Sequence, residues 1–331
     1  MVTKGNESHH VDIDLSLIVS AFNEEGNVEP FYHEAVRCAR IHNSNLEIVF
    51  VDDGSTDNTY SKLKEAVRIA SEQNDIRVKV ISFSRNFGKE SAMYAGLQNA
   101  TGQYQCLIDA DLQQPPETAF QMLDLLKQNP DYDCVAAFQE SRKEQGGSLT
   151  SWFSHKFYSM LSKSSGMPVI SDASDFRVFK AEVGSALLSM KEYYRFSKGM
   201  FAWIGFRTLP FPYTPRERLS GTTTWSFKKL CRYAIDGLLS FTSFPLRIAT
   251  YLGLLVSLAA FLYMMVVLFQ RLVFGADIPG YTTIVILILF LGGVQLLVLG
   301  IIGEYLARMY AEEKRRPIYI VRKKLDSECL D

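Results

Sequence analysis

The sequence predicts an α/β protein built on a mainly parallel sheet, followed by two helices long and apolar enough to span a membrane. Three observations carry that prediction. Strand-like and helix-like runs alternate through the first half of the chain, each strand-like run ends in a polar cluster, and the last third holds two uncharged apolar stretches.

The strand-like runs are LSLIVSAF (15–22), EIVFVDD (47–53), VKVISFS (78–84), YQCLIDA (104–110) and CVAAF (134–138). All are short and rich in apolar or β-branched residues. Helix-like stretches at 28–42, 56–73, 88–100 and 116–127 separate them. That rhythm gives βαβ units and a sheet covered on both faces. Such sheets bind ligands beyond the carboxyl ends of their strands. Here those ends read AFNEE, VDDGSTD, SRNFGK and DADLQQ, so four polar clusters at one edge predict a site.

Residues 248–269 and 281–303 contain no charged residue. Each reaches the roughly 20 residues that cross a hydrocarbon core. Neither has a polar face, which argues against helices buried in a soluble domain. The connector QRLVFGADIPG carries one basic residue, Arg271, whereas Lys228, Lys229, Arg232 and Arg247 precede the first span and Lys314, Arg315, Arg316, Arg322, Lys323 and Lys324 follow the second. The positive-inside rule places both flanks, and the N-terminal domain with them, in the cytoplasm. Between 222 and 244, Phe227, Leu230, Cys231, Ala234, Leu238 and Phe241 recur at helical spacing. They fit an interfacial helix lying on the membrane or a helix packed on the soluble domain. The expected division is a polar, disordered leader (1–14), the α/β domain (15–215), juxtamembrane helices (216–245), two transmembrane helices (246–303) and a basic cytoplasmic tail (304–331).

Bulk composition narrows the function classes. The 331 residues carry a net charge of −1, so no global basic field points to nucleic acid. Five scattered cysteines without a CxxC pair exclude a disulfide framework and a structural zinc site, and fit a reducing compartment. The leader lacks the apolar core of a signal peptide, and its His9-His10 pair reads as exposed chain rather than a metal ligand. The spans contain no ionisable residue, which disfavours a transporter.

Asp109 and Asp111 end an apolar strand, and Pro115 and Pro116 break it just beyond. A turn there can bring both carboxylates, with the Gln113 carbonyl, to one hard cation such as Mg²⁺ or Mn²⁺. An EF-hand is excluded, because Gln114 and Phe120 stand where its glycine and glutamate belong. A solvated loop also accounts for a DxD taken alone. In VDDGSTDNT, Asp52 and Asp53 end a second strand, Gly54 permits the turn, and helix capping accounts for Ser55 and Asp57. Carboxylates at that tip can accept from a nucleobase or a ribose. In AFNEEGNV, Asn23 or Glu25 can cap a helix and Phe22 can flank a base.

Taken in order, SAFNEE, VDDGSTD, SRNFGKE, DADLQQPPE and SDFRVF resemble an inverting family 2 glycosyltransferase with the GT-A fold. RLSGTTTWSFKKLCRYAIDGLLSFTSFPLR and GEYLARMYAEEKRRPIYIV narrow this to the polyprenyl-phosphate glycosyltransferases, the group of bactoprenol glucosyltransferases and dolichol-phosphate mannose synthases. The resemblance covers about residues 15 to 321. It implies that Ser20, Phe22 and Glu24 contact the nucleotide, with Ser20 replacing the usual proline. It implies that Asp52 and Asp53 bind base and ribose, and that Asp109, Ala110 and Asp111 bind the diphosphate and a Mg²⁺ or Mn²⁺ with Gln113. Arg142 and Arg218 match phosphate-holding positions, Lys156 matches a lipid-phosphate contact, and Thr224 stands where relatives often carry a base, which shifts that clamp toward Lys228.

Asp175, in SDFRVF, falls where the family often places a general base, or it orients acceptor or sugar. Arg177 pairs with Asp175 or joins Arg142 and Lys156 at the lipid phosphate. The implied partners are a nucleotide-sugar donor (a UDP-sugar such as UDP-glucose), an undecaprenyl phosphate acceptor and membrane lipids, with self-association through hairpin or tail. Catalysis rests on Asp175, Asp111 and Arg218. Two alternatives share these motifs. A processive polysaccharide synthase lacks support because no tryptophan here completes a QxxRW signature, and an inactive membrane-anchored scaffold predicts eroded acidic clusters where these are intact.

Overall fold

The computed structural model describes residues 12–139, 173–216, 242, 244–274 and 280–329. The first four strands are β1 (Leu15–Ala21), β2 (Leu46–Asp52), β3 (Ile76–Phe83) and β4 (Tyr104–Asp109). They alternate with helices α1 (Val28–Ile41), α2 (Thr59–Ala70), α3 (Lys89–Asn99) and α4 (Pro116–Gln128). Then come β5 (Cys134–Gln139), β6 (Ala173–Lys180), α5 (Ala181–Ser189), α6 (Ser197–Trp203) and β7 (Thr208–Tyr213). Two long helices, α7 (Phe244–Phe274) and α8 (Tyr281–Glu313), precede a last strand, β8 (Val321–Asp326).

The strands form one mixed sheet in the order β7-β5-β6-β4-β1-β2-β3-β8. Its centre, β4-β1-β2-β3, is parallel, while β6 runs antiparallel to β4 and β8 antiparallel to β3. Helices cover both faces, which explains why the central strands are buried nearly end to end. Leu17 and Val19 of β1 face a cluster with Phe31 of α1, Leu63 of α2 and Phe120 of α4. Ile18, one residue out of phase, faces Met93 and Leu97 of α3 on the other side. Gly96 permits the close approach of α3, since a Cβ there would stand 2.2 Å from Ile18 Cγ2.

Three strands escape the sequence reading. In β7, TLPFPY, the prolines are tolerated because the strand lies at the sheet edge. In β6, ASDFRVFK, charged residues interrupt the apolar run. In β8, VRKKLD, lysines blunt the opposite edge, as edge strands require. The basic tail therefore returns to the sheet. Arg77 of β3 fastens it, with Asp326 at 2.8 Å and Glu328 at 2.7 Å.

The helices α7 and α8 pair with each other and leave their apolar side chains uncovered by protein, as at Leu254 (66%), Leu289 (70%) and Leu296 (72%). They fit a membrane-spanning hairpin. The helices outrun the apolar stretches, because polar residues such as Glu304 and Arg308 continue α8 beyond them. Near that end, the Tyr193 N–H donates to Glu312 Oε1 at 2.8 Å and the Arg308 guanidinium lies over the Tyr194 ring. The expected interfacial helix falls outside the described residues.

Candidate active site

The carboxyl ends of β1, β2, β3 and β4 come together at one edge. The β1 and β2 loops are zipped to each other there. Asn23, in the left-handed region at φ 57°, accepts the Thr56 N–H at 2.9 Å and donates its own N–H to Ser55 Oγ at 3.0 Å. Glu25 accepts the Asn58 N–H at 2.9 Å, and the Glu24 N–H donates to Thr59 Oγ1 at 2.8 Å. Asn23 and Glu25 thus serve the neighbouring loop, where the sequence suggested caps for their own helix. Phe22 stands exposed at the tip.

Asp52 and Asp53 are buried, and all four of their carboxylate oxygens accept hydrogen bonds from the protein. Asp52 takes the Ser55 N–H at 2.9 Å and the Ser82 hydroxyl at 2.7 Å. Asp53 takes the N–H groups of Phe87 at 2.6 Å and Gly88 at 2.9 Å. This role in shaping the β3–α3 loop was not legible from the sequence. Burial pushes the Asp53 carboxyl up to about 6 against those two bonds. Gly54 has φ +70°, and a Cβ there would fall 2.4 Å from the Arg85 carbonyl carbon.

At the end of β4 the chain turns sharply. Leu112 takes φ 58°, the Gln113 N–H donates to Asp111 Oδ1 at 3.1 Å, and Gln114 Oε1 accepts the Asp109 N–H at 3.1 Å. Pro115 caps α4 and Pro116 opens it, where a missing N–H costs nothing. Ala110 is buried beneath this turn. The Gln113 carbonyl accepts the Arg216 N–H at 3.1 Å.

Lys89, the first residue of α3, joins two carboxylates from distant parts of the sequence. Its Nζ lies 2.7 Å from Asp109 and 3.8 Å from Asp175 Oδ2, and the Ser20 hydroxyl donates to Asp109 at 3.2 Å. These four residues line one small cavity with Met93, Leu107, Ile108 and Gln114. Burial disfavours the charge on Lys89, but Asp109 and Asp175 outweigh it and raise its pKa. Burial likewise opposes ionisation of Asp175, and Lys89, Lys198 and the Ser197 hydroxyl together hold its pKa below the usual range. The structure brings together Ser20, Asp109 and Asp175, and adds Lys89 to them. Its signal in the sequence was SRNFGK at a strand end.

Arg177 lies two residues beyond Asp175 on β6. Its side chain is buried in the β6 layer, where Nε donates to the Ser174 carbonyl at 3.2 Å and the guanidinium lies 4.4 Å from the Phe201 ring centroid. That position packs the guanidinium inside the domain, and Arg177 does not line the cavity. Arg142, Lys156, Arg218, Thr224 and Lys228 lie outside the described residues.

Among the described residues, no three His, Cys, Asp or Glu side chains converge on a ready-made metal site. Asp109 and Asp111 supply carboxylate oxygens flanking one turn. That set suits Mg²⁺ or Mn²⁺, since Mg²⁺ typically binds one or two protein carboxylates plus substrate phosphates and waters.

Residues 16–187 match glycosyl transferase family 2. The chain belongs to that family. The family 2 region ends before the hairpin, and residues 244–309 match a second family, the GtrB C-terminal hairpin. Among similar proteins, a prophage bactoprenol glucosyl transferase homolog of Escherichia coli K12 is 37% identical over 93% of this chain and 98% of its own length. The bactoprenol glucosyl transferase of Shigella phage SfII is 38% identical over 93% of this chain and 97% of its own. Glucosyl-3-phosphoglycerate synthase from Mycobacterium tuberculosis, solved with Mn²⁺, UDP and glucosyl-3-phosphoglycerate, superposes with a TM-score of 0.52. That match is 19% identical and covers 70% of this chain and 80% of that one, a likeness of fold. The family 2 glycosyltransferase region therefore carries a GT-A-like sheet, and the cluster around Lys89 lies at the edge where such folds bind ligands.

Proposed function

We propose that this glycosyltransferase moves one sugar, with inversion, from a nucleotide-sugar to a polyprenyl phosphate at the cytoplasmic face of the membrane. The carrying observation is the convergence of Asp109, Asp175 and Lys89 at the carboxyl edge of a domain tied to an apolar hairpin. The relatives named bactoprenol glucosyl transferase support a bactoprenol-type acceptor and a glucosyl donor; in this reading they are undecaprenyl phosphate and UDP-glucose. In this reading both termini are cytoplasmic, the hairpin contacts membrane lipids, and the lipid-linked sugar serves cell-envelope glycan modification. Copies of the chain associate through hairpin or tail.

In the proposed site, Phe22 flanks the base, while Ser20, Glu24 and the remaining lone pairs of Asp52 and Asp53 orient the nucleoside. Asp109 and Asp111, with Gln113, hold Mg²⁺ or Mn²⁺, which when bound neutralises charge growing on the leaving diphosphate. Lys89 contributes a fixed positive charge beside Asp109, already aimed where negative charge develops. Arg142 and Arg218 add guanidinium donors to the phosphates, and Lys156 meets the lipid phosphate. A phosphate monoester, with its second pKa near about 6, is largely ionised at neutral pH. Asp175 therefore has little proton to remove, and its held-down carboxylate orients the acceptor and sugar.

The test is transfer of label from a panel of UDP- and GDP-sugars onto undecaprenyl phosphate by detergent-purified protein. A single labelled monophosphate lipid, absent with Asp111→Ala and with a chelator, is the expected result. Folded protein that labels no lipid with any donor overturns the reading.

A further inference from the structure

Behind Asp175 stands a second carboxyl group that the proposed reaction does not use. Glu90 follows Lys89 in α3 and is half-buried. Its two oxygens accept the Ser197 N–H at 3.0 and 3.2 Å. The Ser197 hydroxyl lies 3.2 Å from Glu90 Oε1 and 2.9 Å from Asp175 Oδ1. One hydroxyl carries one proton and can satisfy one of these acceptors. With both carboxylates ionised, the other contact sets lone pair against lone pair. One more proton closes the network.

The surroundings decide which carboxyl takes it. Lys89 stands 3.8 Å from Asp175 Oδ2 and Lys198 adds its charge, so Asp175 stays ionised. Glu90 faces that negative charge, with Arg195 as the opposing cation. Burial and then the Asp175 charge push the Glu90 carboxyl up to about 7.

We propose that Glu90 is a positioning residue whose neutral carboxyl donates to Ser197 Oγ and so commits the Ser197 proton to Asp175 Oδ1. Asp175 Oδ2 is left facing Lys89 and the cavity. The role of Asp175 rests on the proposed function, whereas the proton on Glu90 does not. Loss of that proton makes two carboxylates compete for one hydroxyl, and Asp175 loses its fixed orientation.

The experiment follows sugar transfer by the full chain from mildly acidic to mildly alkaline pH. Wild-type kcat falls as Glu90 ionises. Glu90→Gln, whose amide always donates, keeps its plateau through that range. Ser197→Ala lowers kcat about tenfold, the worth of a hydrogen bond to a charged group, and leaves the donor KM unchanged. A Glu90→Gln enzyme that retains the wild-type alkaline limb overturns the proposal, as does a fully active Ser197→Ala. A second arm needs no substrate. The infrared difference between wild type and Glu90→Gln should show a protonated carboxylic acid that disappears on alkaline titration. Its absence overturns the proposal whatever the enzyme's substrates. Its presence in protein that labels no polyprenyl phosphate upholds the proton on Glu90 and overturns the proposed function alone.

Discussion

Two lysine–carboxylate networks sit at opposite ends of the same sheet, and they are built differently. At the amino edge, Glu47 Oε1 lies 2.6 Å from Lys79 Nζ, with the glutamate side chain 0% and the lysine 7% exposed. Glu47 also accepts from Ser16, the Thr101 N–H and the Thr101 hydroxyl, and Lys79 donates to the Asn99 carbonyl. One lysine meets one glutamate, water is excluded, and the remaining lone pairs are met by the protein. At the carboxyl edge one lysine meets two carboxylates, and Lys89, Asp109 and Asp175 keep 38%, 28% and 21% of their side-chain surface. The first arrangement is closed and holds the fold. The second keeps open surface around its carboxylates, which suits a site that receives a cation and a charged substrate. Residue types alone do not separate the two; exposure and stoichiometry do.

The comparison breaks most sharply at the closed end. Glu47→Ala strands a buried ammonium, and the expected loss is about 3–5 kcal/mol of stability, read by thermal unfolding in detergent. Turnover per folded molecule should not change. At the open end, Lys89→Met should cost about 10²–10³ in kcat, the worth of one preorganised charge at a developing anion, measured in the transfer assay. Stability should move by less than about 1 kcal/mol, since the pair is partly solvated.

Gly54→Ala tests the loop that frames the open end. Its strained φ and close carbonyl should cost about 1–3 kcal/mol of local stability, seen as faster amide exchange at Phe87 and Gly88. Ser20→Ala removes a single hydroxyl bond to Asp109, worth about 0.5–1.5 kcal/mol, and a matching rise in donor KM measures it.

The last effect is a pH slope. The raised folded-state pKa of Glu90, about 7, means the native state holds a proton that the unfolded chain has lost. Stability therefore falls as pH rises from the ordinary glutamate range through about 7. Asp53 adds the same sign up to about 6. Glu90→Gln should flatten its part of the slope in thermal unfolding against pH, leaving that of Asp53.

The parallel centre of the sheet was legible because β1 to β4 announce themselves by apolar runs ending in polar clusters. The strands β6, β7 and β8 were hidden, because charge and proline are tolerated where a strand meets a neighbour on one side or carries a buried cation. Of the site, Ser20, Asp109 and Asp175 were found through their motifs. Lys89 was quoted within its cluster but given no role, since nothing local shows that α3 delivers it between two carboxylates 66 residues apart in Asp109 and Asp175. Ser197 and Glu90 are more remote still. Arg177, two residues beyond Asp175, does not line the cavity. Its neighbour Asp175 faces the cavity, but two residues further along β6 the same side of the strand is covered by Phe201.

The most direct measurement sets Lys79→Met beside Lys89→Met, with unfolding temperature and sugar transfer read on the same preparations. The account predicts that Lys79→Met melts early yet turns over normally while folded, and that Lys89→Met melts near wild type yet transfers almost no sugar. A Lys89→Met enzyme with full turnover, or one whose lost activity follows lost folding, would contradict it.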